Sequence, residues 1–210
     1  MSPPRIDGFA KLARGRPSLN TRLLGTIGIV SSPMLLIQSV RSGFDLSIPD
    51  RVDAALGLVF LVGWACSVVA LRVLRATGTG RTGAVVLAVQ AMGLSLAASQ
   101  QVQDFMLQEQ KPENTLYQIA NLAWPVSVLL MLVAGGLTAS AGRFTGWRRW
   151  APSLCGLALP LLLAAIAVGR RQIGMILFGV YTTLAWALLG LAVRTTPNSI
   201  SVNNGAGSSQ

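Results

Sequence analysis

The chain has 210 residues, of which 52% are apolar and 11% are charged, and its mean hydropathy is +0.57. This composition excludes an ordinary water-soluble domain. The 17 basic residues outnumber the 7 acidic ones, which gives a net charge of +10, and the sequence contains no histidine. Chemistry that requires an imidazole is therefore excluded.

Six apolar windows are long enough to cross a bilayer as helices. A charge at the bilayer centre costs about 2.5 to 3.5 kcal/mol, and none of these windows carries one in its central third. They are too long and too uniformly apolar for barrel strands. The sequence therefore predicts an all-α, polytopic integral membrane protein with a bundle of six transmembrane helices, near residues 22–40, 54–74, 83–103, 116–138, 152–169 and 173–193.

The basic residues indicate the orientation of this bundle. One side receives 12 of them, whereas the other side receives 5 together with six of the seven acids. By the positive-inside rule, both the N-terminus and the C-terminus are predicted to be cytoplasmic. The pair Arg170–Arg171 disagrees with this arrangement. If that pair were cytoplasmic, the last two windows would be re-entrant or peripheral, but both are long enough to span.

The flanking segments complete the predicted domain organisation. Residues 1–21 form a basic cytoplasmic arm, either a short helix on the inner leaflet or a disordered segment, and residues 22–194 form the transmembrane domain. Residues 195–210 are rich in Ser, Asn and Gly and are predicted to be a disordered cytoplasmic tail. The preference for Arg over Lys favours a GC-rich bacterial genome, and hence the inner (plasma) membrane.

Local motifs predict how the helices start and pack. Ser47-Ile48-Pro49-Asp50 has the spacing of a capping box before the second span, and Trp147 and Trp150 form an interfacial anchor before the fifth. Small residues predict close helix contacts. These patches are Gly25 with Gly28, Gly63 with Ser67, and Thr183 with Ala187 and Gly190.

Two sequence patterns each allow a functional interpretation and a purely structural one. Trp64 and Trp186 each precede an arginine by eight residues, which fits either an internal repeat of the transporter type or the generic form of a span. The motif from Gly78 to Gly83 matches the dinucleotide fingerprint G-x-G-x-x-G, but it follows a membrane helix instead of a strand. It predicts a flexible inner turn.

Polar side chains concentrate where the third span ends and the fourth begins, on the outer side. Such a cluster fits either an outward-facing pocket that holds a polar ligand or a solvated hairpin end. The candidate ligand-binding residues are Gln100, Asp104, Tyr117, Asn121 and Trp124, together with Tyr181 deeper in the sixth span.

The residue types argue against catalysis. Haem, zinc and di-iron chemistry in membranes needs histidine. The two cysteines, Cys66 and Cys155, do not form a CxxC pair, and neither has a histidine or an intramembrane carboxylate as a partner for catalysis. We therefore predict no enzyme, no catalytic residue, no metal and no cofactor.

Two function classes remain. The favoured one is a non-enzymatic membrane component, such as a subunit, sensor or assembly factor. The other is a small-solute transporter or channel-like protein that passes or binds an uncharged or weakly polar solute, with an outward-facing polar entry between spans three and four. A cavity that opens outward between spans three, four and six, lined by the candidate residues, would favour the transporter class. A bundle centre filled by Leu, Val and Ala would support the non-enzymatic component. The predicted partners are the lipid bilayer, with anionic headgroups at the cytoplasmic face, and a membrane protein or second copy, but no nucleic acid.

Overall fold

A computed structural model describes residues 19–42, 50–107, 115–167 and 171–197. The chain is all-α, as predicted. The helices are α1 (Leu19–Ser31), α2 (Met34–Arg41), α3 (Arg51–Val73), α4 (Arg81–Leu107), α5 (Thr115–Ala141), α6 (Ala151–Ala167) and α7 (Arg171–Thr195), with a 3₁₀ helix (Gly146–Trp150) before α6.

Five helical segments are long and apolar enough to cross a membrane, so the chain is a multi-pass membrane protein. They are α1 with α2, α3, α4, α5 and α7. Helix α6 has 17 described residues, which at about 1.5 Å per residue reach roughly 25 Å. Apart from α1 and α2, which together form the first predicted span, α6 is the shortest helix at a predicted span.

The first predicted span is interrupted at Pro33. A proline has no N–H, so Pro33 cannot donate to the carbonyl of Ile29 one turn earlier. That carbonyl instead accepts from the Ser32 hydroxyl at 2.8 Å and from the Ser32 amide at 3.3 Å. The window 22–40 is therefore built as two helices, α1 and α2.

The helices form a closed ring in chain order. Helices α1, α3, α4, α5, α6 and α7 each contact the next, and α7 contacts α1, while α2 packs on α3 and α7. Neighbours run antiparallel, since for example Asp104 near the end of α4 meets Tyr117 at the start of α5. The short connections explain this order.

Charge separates the two ends of the ring. We call one the basic end, because its described charged residues are all arginines: Arg22, Arg72, Arg75, Arg81, Arg143, Arg148, Arg149 and Arg194. We call the other the acidic end, because it holds every acid of the described ranges, Asp50, Asp53 and Asp104, beside Arg41, Arg51 and Arg171.

Helix α1 packs closely because its contact residues are small. A Cβ on Gly25 would lie 2.5 Å from the carbonyl oxygen of Gly190, and one on Gly28 would lie 2.6 Å from the Ser67 hydroxyl. A Cβ on Gly63 would collide with the Ser31 side chain. The predicted contacts through Gly25, Gly28, Gly63, Ser67 and Gly190 are confirmed.

Two local predictions are refined. Helix α3 begins at Arg51, and its N-cap is Asp50, whose carboxylate accepts from the Asp53 amide at 2.8 Å. The cap is thus three residues later than the predicted box at Ser47, which lies outside the described residues. The turn after α3 contains Gly78 at φ +89°, and Gly83 packs on Thr77, so the glycines of this motif lie in a turn and at the start of α4.

The predicted anchor residues lie at the basic end. Trp147 and Trp150 belong to the 3₁₀ helix and are 46% and 49% exposed. The guanidinium of Arg149 lies 5.2 Å from the centroid of the Trp150 ring, a cation–π arrangement that suits a headgroup region.

Candidate ligand-binding cavity

A cavity of about 390 Å³ opens at the acidic end between α2, α3, α4, α5 and α7. Its polar lining comprises Gln38, Ser39, Asp53, Gln100, Gln101, Asp104 and Asn121. Its apolar lining comprises Leu35, Leu122, Trp124, Pro125, Met175 and Phe178. The volume is near the lower end of the range for small-molecule sites, which combine an apolar wall with a few polar groups.

Asp104 lies at the centre of the polar wall. The Tyr117 hydroxyl donates to its Oδ1 at 2.8 Å, and the Gln100 amide donates to its Oδ2 at 3.3 Å. Gln100 reaches Asp104 because residues four apart share a helix face. A carboxylate accepts about four hydrogen bonds, so these two donors orient Asp104 and leave it able to accept more.

Asp53 is neutralised by a neighbour. It is almost fully buried, and Arg41 Nε donates to its Oδ1 at 3.2 Å. The same guanidinium forms an ion pair with Asp50. Arg41 thereby ties the end of α2 to the start of α3, with its charge directed at two carboxylates.

The apolar wall is aromatic. The rings of Trp124 and Phe178 meet edge to face with centroids 6.1 Å apart, a favourable aromatic geometry. Pro125 follows Trp124 within α5 and cannot donate to the carbonyl of Asn121. The carbonyl of Asn121, a residue of the cavity lining, therefore lacks its usual helical donor.

Three aromatic rings close the bundle beneath the cavity. Gly57 of α3 lies beside Gln101, which lines the cavity, and Phe60 lies about one helical turn further along α3. The Phe60 ring lies 6.0 Å from Trp64 and 5.4 Å from Trp186, and the two indoles are 5.0 Å apart. All three side chains are at most 2% exposed. We call this set the aromatic floor.

Buried polar atoms without partners lie at the middle of the helices. In the described part of the chain, no hydrogen-bond partner is found for the Gln90 amide, the Ser127 and Thr182 hydroxyls, or the indole N–H groups of Trp64 and Trp186. Each such group costs free energy, and concentrations of them mark sites that need a physical explanation.

The structure brings together most of the predicted site residues. Gln100, Asp104, Asn121 and Trp124 line the cavity, and Tyr117 bonds to Asp104. Tyr181 is elsewhere, because its hydroxyl donates to the Leu154 carbonyl of α6 at 2.8 Å. The turn residues predicted to join this region, Lys111 to Glu113, lie outside the described residues.

Sequence reasoning missed the contributions of α2 and α3, and of Met175 and Phe178 on α7. Asp53 directly precedes the predicted second span at 54–74, whereas it lies in the first turn of α3 and lines the cavity. Gln38 and Ser39 follow Pro33 at the end of an apolar window, and a proline followed by polar residues was the available signal. Phe178 has no such signal, because it lies among other apolar residues of α7.

The cysteines have no paired function in this arrangement. Cys155 is fully buried, with its thiol 3.5 Å from the Ala185 carbonyl, and Cys66 is a free, half-buried thiol. Among the residues that the structure describes, no three His, Cys, Asp or Glu side chains are grouped to hold a metal ion.

Comparisons with known proteins do not identify a family for this fold: no family model, no curated protein and no solved structure matches the chain.

Proposed function

We propose that the chain is a binding or sensing component of a membrane, which holds a small solute in the cavity at the acidic end and does not conduct it. The observation that carries this proposal is the cavity between spans three, four and six, lined by Gln100, Asp104, Asn121 and Trp124, which favours solute binding over a purely structural role. The aromatic floor supports the absence of conduction, because a packed bundle centre blocks a continuous path for the solute.

The proposal includes six spans, with α6 crossing beside the others, and an orientation. The eight arginines of the basic end favour the cytoplasmic side, so that the cavity opens outward. We also propose the bacterial inner membrane as the location and a non-catalytic role, since the chain contains no histidine.

Thiol accessibility in intact cells tests the proposal. Single-cysteine variants are made in a C66S/C155S background, which keeps a hydroxyl donor at the Cys155 position. A membrane-impermeant maleimide is expected to label D104C and N121C in the cavity. It is expected to spare Q90C and Y181C below it.

The matched control is V126C, which lies on the same helix as Asn121 and is 52% exposed on the outside of the bundle. A charged reagent in water should not reach this lipid-facing position. Labelling that extends to Q90C or Y181C would overturn the closed centre and favour the transporter alternative. Unlabelled D104C and N121C that react only after the cells are opened would reverse the orientation.

A further inference from the structure

The charge of the cavity lining indicates the class of ligand. Its described lining contains two carboxylates, Asp53 and Asp104, and no basic side chain. Arg41 already forms ion pairs with Asp50 and Asp53. Neither of the two ion pairs found among the described side chains involves Asp104. The cavity therefore presents one carboxylate whose charge is not balanced by an ion pair within these ranges.

The surroundings of Asp104 suit a cation with an apolar group. Tyr117 and Gln100 hold the carboxylate in place and use one acceptor position on each oxygen. Trp124 and Phe178 provide ring surfaces in the same cavity. An ammonium group is attracted both by a carboxylate and by an indole face, and both attractions strengthen where water is reduced.

We propose that the cavity binds a small organic cation, a protonated amine or quaternary ammonium that carries an apolar group. Asp104 is the counter-ion, the aromatic wall receives the apolar group, and the amides of Gln101 and Asn121 accept or donate hydrogen bonds at the rim. This inference rests on the proposed function and names its ligand class. An anionic ligand would be repelled by Asp104, and Arg41 is already ion-paired with Asp50 and Asp53.

Binding of three matched probes to the purified full-length chain in dodecyl maltoside tests this inference. Phenethylamine carries the cation, phenethyl alcohol is its uncharged analogue, and phenylacetate is an anionic one. Isothermal titration calorimetry is expected to show saturable binding of phenethylamine, with an affinity at least roughly tenfold above that of the alcohol, as one charge-assisted hydrogen bond implies. Phenylacetate is expected not to compete.

Two cavity variants identify the counter-ion and the wall. D104N keeps an oxygen that accepts from Tyr117 but removes the charge, and it is expected to lower phenethylamine affinity to that of the alcohol. W124F keeps an aromatic ring against Phe178 and is expected to weaken the cation a few-fold, because indole is the strongest cation–π partner. The alcohol should bind both variants about as well as the wild type.

The control is D50N, which removes a carboxylate outside the cavity lining while asparagine still caps α3. It should bind phenethylamine as the wild type does, and thermal melts of all variants report folding. If the alcohol or phenylacetate binds as tightly as the amine, or if D104N binds the amine normally, the cation assignment is wrong but the proposed cavity function stands. If none of the three probes binds saturably, the cation assignment fails, and the accessibility of D104C and N121C decides the proposed function separately.

Discussion

Gln90 buries a complete side-chain amide in α4 without a hydrogen-bond partner in the described ranges. Trp64, Ser127, Thr182 and Trp186 add orphaned atoms from α3, α5 and α7. Hydrocarbon and packed protein offer no water to these groups, so they oppose the stability of the bundle. The centre of this protein is well packed but polar at specific atoms, which a core of Leu, Val and Ala alone would not be.

We expect Gln90→Leu to stabilise the protein, because leucine has a similar volume and needs no hydrogen bond. Removing an unpaired buried amide should add roughly 1 to 3 kcal/mol, measured as a higher midpoint of thermal unfolding in detergent. Gln100→Leu on the same helix is the control, and it should not stabilise, since Gln100 donates to Asp104. A lower midpoint for Gln90→Leu would mean that the amide is satisfied in solution.

At the residue scale, the sequence predicted the polar cluster but not all of its members. Gln100 and Asp104 share a face by their spacing of four, and Tyr117 and Asn121 do the same on α5, so four positions could be placed together. Asp53 and Phe178 enter the cavity from helices that are distant in sequence. Their approach depends on tertiary packing, which no local spacing encodes.

At the scale of helices, the interface of α1 with α7 depends on Gly25. We expect Gly25→Ala to destabilise the protein by roughly 1 to 3 kcal/mol, the usual cost of overpacking, because its methyl group would meet the Gly190 carbonyl and the Arg194 backbone. Thermal unfolding in detergent measures the change.

Gly136→Ala is the matched control for that substitution. Gly136 also lies inside a helix, but a Cβ added there meets nothing within 4 Å. Alanine should leave stability unchanged or raise it by up to about 1 kcal/mol through its higher helix propensity. Equal effects of the two substitutions would contradict the close packing of α1 against α7.

Helix positions were predictable because lipid requires long apolar runs, and five of the windows match helices that are long enough to span. The interruption at Pro33 was not predicted, because hydropathy does not register a missing N–H. The sequence also does not predict how each helix is rotated about its own axis. Since the spans are apolar on nearly every face, hydrophobic periodicity does not distinguish the face toward lipid from the face toward the bundle.

At the scale of the whole molecule, we expect the aromatic floor, which itself carries two of the orphaned indole N–H groups, to separate the cavity from Gln90. We expect Phe60→Ala to open this barrier, so that Q90C in the cysteine-free background becomes reactive toward the impermeant maleimide. The lost ring costs about 3 to 5 kcal/mol of stability when the site cannot collapse, so labelling is measured well below the unfolding midpoint.

Phe144→Ala is the control for this opening. Phe144 is equally buried, 2% exposed, but lies at the basic end between α5 and the 3₁₀ helix. It should lose comparable stability without exposing Q90C to reagent from the acidic end. Labelling in both variants would indicate general loosening of the fold, and labelling in neither would mean that other side chains form the barrier.

The division into a basic and an acidic end also couples the protein to the electrical state of its membrane. A membrane potential changes the energy of a charge that crosses it by about 2.3 kcal/mol per 100 mV. If the basic end lies on the negative side, as we propose, turning the molecule over would drive each of its eight arginines against that field. In the proposed orientation, an energised membrane would therefore hold this chain more strongly than a depolarised one.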